Sequence, residues 1–358
     1  MLLHFRLSYI VREVFKEKGF IMVSISVIMP VYNTKEVYLR AAIESVLEQN
    51  FKDFEFLILN DSPENKNMQR VISSYSDERI KYVENSANLG IPQSYNRLVE
   101  MATGKYIAVM NHDDIMKPNR LELQYNYMEN HPDVGIVGCG YKKFGEINRF
   151  LAIHNPENHN EICAYLLFKS SIHHPTMMMR RSIFTEHKIK YNENFISLND
   201  RQLCYDFSKY SLLANLPDVL YKYRFHSDMT SKKQKVIIRR ERAMFHKLWF
   251  AYNNIELSPE EIDVFDNYVT YGRQKFNNLK TLEIAINTLE KLSDISQQKK
   301  FLDPRAFRSI CAKYATKRCL NALWNGKINI RHIIKETTLP INKHLLFLCN
   351  ALLGWRKC

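Results

Sequence analysis

The sequence is short of the features that would place it in several common classes. Its seven cysteines (Cys139, Cys163, Cys204, Cys311, Cys319, Cys349 and Cys358) are odd in number and form no Cys-x-x-Cys pair. That pattern argues against a disulfide framework and a zinc knuckle, and suits a reducing, cytoplasmic setting. No run approaches the roughly 20 apolar residues that span a bilayer. Glycine is scarce, 10 in 358 residues, and the loop after the first apolar run, Pro30-Val31-Tyr32-Asn33, contains none. A Gly-rich cradle for a nucleoside triphosphate is therefore missing. No repeat, low-complexity tract or DNA- or RNA-binding motif is present, so no nucleic acid is expected as a partner. Leu2, Leu3, Leu7, Ile10, Val11, Val14 and Phe15 are interrupted by Arg6, Arg12, Glu13 and Lys16. Lacking an unbroken apolar core, this stretch is expected to be a short amphipathic basic helix rather than an export signal. Met22, just before the first strand, is an alternative start.

What remains is the composition of a folded protein, 46% hydrophobic and 25% charged, with a net charge of +13. A basic excess favours anionic partners: nucleotide phosphates, nucleic acid or an acidic membrane surface. It does not choose among them.

The first half alternates strand and helix signals. Apolar runs predict strands over 25–29, 54–59, 80–83, 106–110 and 134–137. Helical spacing predicts helices over 36–49, 67–75 and 92–101, the last with Pro92 in its first turn, where proline costs no hydrogen bond. Another helix opens at Pro118 and closes at His131-Pro132. Strands separated by such helices imply an α/β fold with a parallel central sheet. From about residue 230 the sequence becomes basic and helix-favouring, with a capping box at Ser258-Pro259-Glu260-Glu261. The expected organisation is an N-terminal extension (1–23), a catalytic domain (24–229) and a helical appendage (230–358).

In open α/β sheets ligands bind beyond the carboxyl ends of the strands. Four polar loops stand there: Pro30 to Asn33, Asn60-Asp61-Ser62, Asn85 to Gly90, and Asn111-His112-Asp113-Asp114. Adjacent carboxylates repel unless a cation or donors satisfy them, and a hard divalent ion shared with substrate phosphates is the usual solution. The plain alternative is that Asp113 and Asp114 favour the positive end of the following helix.

The ordered set of these stretches, from Ser26 to about His226, resembles family 2 glycosyltransferases of the GT-A fold, a Rossmann-like fold with a mostly parallel sheet. Val27 to Asn33 is similar to the family's first strand and nucleotide loop, and Ser45-Val46-Leu47-Glu48-Gln49 to the helix that follows. Asn60-Asp61-Ser62 stands where the family has a base-contacting turn. Asn88-Leu89-Gly90 with Asn96, and Asn111 to Asp114, resemble its later donor and metal motifs. Leu198-Asn199-Asp200 is similar to the stretch carrying its general base.

The resemblance implies a nucleotide-sugar donor held by Pro30, Val31, Tyr32, Asn33, Asn60, Asp61, Asn88, Gly90, Asn96, Asn111, His112 and Asp113. It also implies Mg or Mn on Asp113 and His226, the base at Asp200, and an acceptor side at His173 and His174. The activity expected is inverting transfer of a sugar, with UDP favoured, to a hydroxyl of a glycan or lipid-linked acceptor, as in capsule or lipopolysaccharide assembly. As plain alternatives, Asp200 is an N-cap and His226 a hydrogen-bonded strand-end histidine. Arg180 and Arg181 are either diphosphate contacts or solvated charges, and Asp206 a surface residue. Three acidic positions of the family are amides here, Asn60, Asn111 and Asn199, which leaves a degenerate nucleotide-sugar-binding copy as one alternative. A sugar nucleotidyltransferase is another. Leu345, Leu346, Phe347, Leu348, Leu352, Leu353 and Trp355, closed by Arg356 and Lys357, suit either an interfacial helix on the cytoplasmic face of a membrane or a helix packed on the protein.

Overall fold

Two long apolar runs form neighbouring interior strands of the sheet. Strand β1 (Ile25–Val31) is buried except at Pro30, and β2 (Phe54–Asn60) is buried throughout, as strands covered on both faces must be. They pair in parallel, with Val31 opposite Asn60, which brings the loops that follow them side by side. In this computed structural model the described residues are 23–146, 151–226, 235–270, 276, 279–299 and 302–324. The N-terminal extension apart from Val23, and the segment His344 to Lys357, lie outside them.

The elements that follow β1 are α1 (Glu36–Leu47), β2, α2 (Lys66–Ser73), β3 (Ile80–Glu84), α3 (Ile91–Met101), β4 (Tyr106–Val109), β5 (Ile115–Met116), α4 (Arg120–Asn130) and β6 (Val134–Gly145). After them come β7 (Ala152–Ile153), α5 (His159–Leu166), β8 (Met178–Arg180), α6 (Arg181–Glu186), α7 (Asn199–Phe207) and β9 (Leu212–Phe225). The sheet order is β3-β2-β1-β4-β8-β6-β9-β5, with β7 on β6. β3, β2, β1 and β4 are parallel, as the alternating pattern predicts. The sheet is mostly parallel, as expected, and its antiparallel pairings come after β4. The three-residue β8 inserts antiparallel between β4 and β6, and the antiparallel β5 closes the far edge on β9. β6 is also longer than its apolar run, because only its first seven residues are buried and the polar remainder is held by pairing with β9.

The chain divides into two compact units. One takes Met1–Asn158 and Ser171–Gln234; the other takes His159–Ser170 and Lys235–Cys358. The sequence places the change at 230 and gives no sign that His159–Ser170 groups with the helical region. Within the second unit, α8 (Lys235–Tyr252), α9 (Pro259–Val264), α10 (Leu279–Lys299) and α11 (Pro304–Trp324) form the described α-helices besides α5, and a π-helical stretch, Phe265–Thr270, follows α9. The capping box forms: the Ser258 side chain accepts from the Glu261 N–H, and Glu261 accepts from the Ser258 N–H. His246 is fully buried there, between the Asp266 carboxylate and the Leu167 carbonyl.

One buried carboxylate ties the N-terminal end of the sheet together. Glu55 accepts from Lys81, from the Ser26 hydroxyl (2.6 Å) and from both the N–H and hydroxyl of Thr103 (2.7 Å each). Burial pushes its pKa up, but the hydrogen bonds from Lys81, Ser26 and Thr103 outweigh that and hold it below the usual carboxylate range. Glu55→Ala strands four donors and is expected to cost about 3 kcal/mol in urea unfolding at neutral pH. The folded-state pKa is the depressed one, so this stabilisation is complete above the unfolded-state value near ~4.3. It is lost as pH falls through the lower, folded value. The gap between parent and variant therefore narrows in acid; a constant gap contradicts the assignment.

Candidate functional site

The loops after β1, β2 and β3 are stitched into one surface by Asp61. Its Oδ1 accepts from the Asn85 side chain (2.6 Å) and the Leu89 N–H (2.8 Å), and its Oδ2 from the Gly90 N–H (2.9 Å). Gly90 takes φ = 84°, a conformation that side chains resist, immediately before α3. Asn88 steadies the same turn by accepting from the Gly90 N–H (2.9 Å). Asn33 adopts φ = 39°, receives the Asn65 amide on its Oδ1 (2.8 Å), and donates its N–H to Ser62. Asn60 is fully buried: its Oδ1 accepts from the Ser62 N–H and hydroxyl, and its amide donates to Tyr82 and Glu84. Asn60 and Asp61 are thus committed to shaping the loop, while Tyr32, Asn33, Asn88 and Leu89 are exposed at its surface. Pro30 is partly buried and Val31 fully buried at the end of β1.

At the end of β4 the neighbouring carboxylates have opposite surroundings. Asp114 is fully buried and accepts from the Asn111 amide (2.9 Å), the Tyr221 hydroxyl (3.1 Å) and the Arg224 N–H (2.6 Å). Burial, then the charge of Asp113, pushes its pKa well above the ordinary value, against the pull of those three donors. Asp113 is partly open, and its Oδ2 lies 2.9 Å from His226 Nε2. The plain strand-end reading of His226 accounts for this contact equally well. Next to it, His112 Nδ1 is buried with no partner among the described residues, and burial lowers the pKa of the ring.

Behind this loop stands an aromatic wall. Tyr95 and Tyr191 stack with centroids 5.0 Å apart, His174 meets Tyr95 edge-on at 4.8 Å, and His174 Nε2 shares a 3.0 Å hydrogen bond with the Tyr191 hydroxyl. Asn96 fixes the wall rather than facing a ligand: its amide donates to the Tyr191 carbonyl (2.9 Å) and accepts from the Tyr191 N–H (2.8 Å). His173 lies flat on Tyr141 at 4.1 Å and edge-on to Tyr223 at 4.7 Å. Burial drives both histidines down to about 3, so both are neutral at physiological pH.

Asp200 is the second residue of α7, half-buried, with its Oδ1 accepting from the Arg201 N–H (2.7 Å). Two tyrosines connect it to the carboxylates after β4. Burial, then Asp113 and Asp114, raises the pKa of Tyr95. Burial, then Tyr95, Cys204 and Asp200, raises that of Tyr191. Asp206, by contrast, turns to Gln202 (3.0 Å) and Lys209 (2.8 Å).

The donors present suit a hard ion only in part. Among the described residues no group of three or more His, Cys, Asp or Glu side chains could hold a metal by itself. Adjacent ligands of an octahedral Mg²⁺ or Mn²⁺ stand about 3 Å apart, close to the 2.9 Å between Asp113 Oδ2 and His226 Nε2. One carboxylate and one imidazole would leave the remaining positions to phosphate oxygens and water; the carboxylate and phosphates suit a hard cation, while the imidazole is a departure from the all-oxygen set Mg²⁺ usually takes.

The amides at the family's acidic positions are electrostatically coherent. The Asn60 amide donates to Glu84 (3.1 Å) and the Asn111 amide to Asp114, where an aspartate in either place would set carboxylate against carboxylate. Asn199 donates to the Ile196 carbonyl (3.2 Å) at the start of α7. Arg180 and Arg181 spend their guanidinium groups on the carbonyls of Val134, Met128, His131 and Gly104, at the opposite end of β4. These bonds fix both side chains to the backbone at the end of the sheet away from Asp113.

Arg224 is the residue that sequence reasoning missed. Its Nε donates to the Asp113 carbonyl (2.6 Å), and its guanidinium lies over Tyr38 (4.2 Å) and Phe144 (4.4 Å). A cation beside a Tyr-x-Phe-His run was the available signal, but only the pairing of β9 with β5 and β6 shows that it reaches Asp113.

Residues 26–188 match the family described as Glycosyl transferase family 2. Over 187 residues the chain is 39% identical to an uncharacterized glycosyltransferase of Methanocaldococcus jannaschii, covering 51% of this chain and 62% of that one. It is 33% identical over 223 residues to an uncharacterized glycosyltransferase of Haemophilus influenzae, covering 58% and 67%. The amylovoran biosynthesis glycosyltransferase AmsE of Erwinia amylovora is 28% identical over 221 residues, covering 58% and 79%. The chain thus spans under two thirds of the archaeal relative. Among solved structures, S. aureus TarS 1–349 in complex with UDP-GlcNAc superposes with a TM-score of 0.54 at 16% identity, over 85% of this chain and 88% of that one. That likeness is one of fold.

Proposed function

Since this chain belongs to glycosyl transferase family 2, we propose that it moves a sugar from a nucleoside diphosphate donor to an acceptor hydroxyl with inversion at the anomeric carbon. The observation that carries the reading is the Asp113–His226 pair, a partly open carboxylate 2.9 Å from an imidazole, with Asp113 in the loop after β4. A donor needs its diphosphate held, which suits that pair, and its acceptor deprotonated, the role proposed for Asp200.

In this mechanism Asp200 takes the acceptor proton as the oxygen attacks the anomeric carbon, and the bond to the diphosphate breaks on the opposite side. Asp113 and His226 would hold a divalent cation, which when bound supplies charge neutralisation on the departing diphosphate. Arg224, fixed by Tyr38 and Phe144, keeps the Asp113 backbone in place. His174 and Tyr191, linked to each other, and the neutral His173 form the acceptor side, where uncharged rings suit sugar faces. Tyr32 stacks on the nucleotide base. UDP is the favoured nucleotide, in keeping with the fold shared with TarS, whose structure holds UDP-GlcNAc. The acceptor is a glycan or lipid-linked glycan, and the likeness to an amylovoran biosynthesis enzyme favours surface polysaccharide assembly in the cytoplasm.

The test is a donor screen. UDP-, GDP-, CMP- and dTDP-sugars are incubated with the protein and Mn²⁺, and slow hydrolytic release of the free nucleotide is measured. Release of UDP that chelation abolishes is expected. Pyrophosphate formed from a nucleoside triphosphate and a sugar phosphate would make the protein a nucleotidyltransferase instead. Donor binding without any turnover would make it a degenerate copy.

A further inference from the structure

The 18-residue helix α8 (Lys235–Tyr252) has an outward face that the transfer reaction does not use. Its inward face is anchored by Phe245, His246, Trp249 and Phe250, all buried. The exposed side holds only apolar, aromatic and basic side chains; the helix's acid, Glu241, is buried. Surface helices ordinarily show acids and uncharged polar residues to water, so this composition favours a neighbour that is both apolar and anionic. Arg240 and Lys247, seven residues apart, lie on one stripe with Val236, which is 84% exposed. Ile237, Leu248 and Tyr252 form the adjoining stripe at spacings of eleven and four residues, and are 37%, 48% and 61% exposed. Arg239 extends the basic edge.

We propose that this face of α8 docks on the surface of an anionic phospholipid bilayer. Lying flat, the helix would set its apolar stripe at the boundary of headgroups and acyl chains while the cations reach lipid phosphates. It spans about 27 Å along that surface. Because its opposite face is committed to the protein core, the helix lies on the bilayer and does not cross it, and no described helix is long and apolar enough to do so. Charge complementarity selects the occupant. A second copy of the chain, packed through the same face, would bring two basic edges together. A nucleic acid would use the cations and leave Ile237, Leu248 and Tyr252 in water. The proposal rests on exposed side chains of the second unit alone and stands or falls apart from the transfer reading.

The experiment is co-sedimentation of the full chain with vesicles of phosphatidylcholine, with and without phosphatidylglycerol, at low and high salt. Binding only to the anionic vesicles, weakened by salt, is expected. Arg240→Glu with Lys247→Glu should lower the partition coefficient roughly tenfold or more. Leu248→Ser with Tyr252→Ser should weaken binding at both salt concentrations. All four positions are exposed, so the variants should keep the parent circular dichroism and donor hydrolysis. Equal binding by parent and variants overturns the proposal. So does equal binding to neutral vesicles, or a dimer in light scattering that the variants dissociate while vesicles bind nothing.

Discussion

Asp200→Asn should lower kcat about 10³-fold while leaving the donor dissociation constant within about twofold. The substitution keeps the size of the side chain and one carbonyl-type oxygen to accept from the Arg201 N–H, so the start of α7 should hold. What it removes is the capacity to take a proton. An acceptor hydroxyl attacking without a base must develop positive charge on its oxygen, and that penalty falls on the chemical step alone. Stopped assays of transfer with a saturating UDP-sugar, paired with calorimetric titration of the donor, separate the two quantities. Loss of donor binding in parallel with kcat would make Asp200 a structural residue of α7. Unchanged turnover would move the base elsewhere.

The extent to which this site can be read from the sequence differs between position and orientation. Runs such as Ile25–Val31 and Phe54–Asn60 are apolar because both sheet faces are covered, so hydrophobicity alone finds them and the loops at their ends. Pro92 and the Ser258 box mark helix starts through local hydrogen bonding, which needs no tertiary context. Orientation is another matter. Asn60, Asp61 and Asn96 stand at the positions where a resemblance places donor contacts, yet their polar atoms are consumed by Ser62, Glu84, Asn85, Gly90 and Tyr191. Motif spacing says which residues gather at a strand end, while the competition among neighbouring donors and acceptors decides which turn outward. Arg224 lies 111 residues from Asp113 and reaches it only through the long β6–β9 ladder. Nothing local could signal that contact. The same is true of His159–Ser170, whose grouping with the helical unit is a tertiary choice.

The second large effect separates the two neighbouring aspartates. Asp113→Asn should cost about 10²- to 10³-fold in kcat/KM and blunt stimulation by Mn²⁺, with the thermal midpoint nearly unchanged. Asp113 is partly open, and the one side-chain contact shown for it is His226, so an amide there disturbs little packing. An amide is a poor ligand for a hard cation, so the effect should appear in the metal titration: the apparent Mn²⁺ constant rises, and excess metal restores only part of the rate. Asp114→Asn should behave in the opposite way. Its carboxylate is fully buried among Asn111, Tyr221 and the Arg224 N–H, and an amide turned toward those three donors leaves at least one of them unsatisfied. That variant should lose about 2 kcal/mol or more of stability and keep the metal response of whatever fraction folds. The contrast depends on the burial difference between adjacent residues and not on their shared chemistry. If Asp113→Asn is the unstable protein and Asp114→Asn the one that no longer answers to Mn²⁺, the two carboxylates have been assigned the wrong way round, and the donor site moves with them.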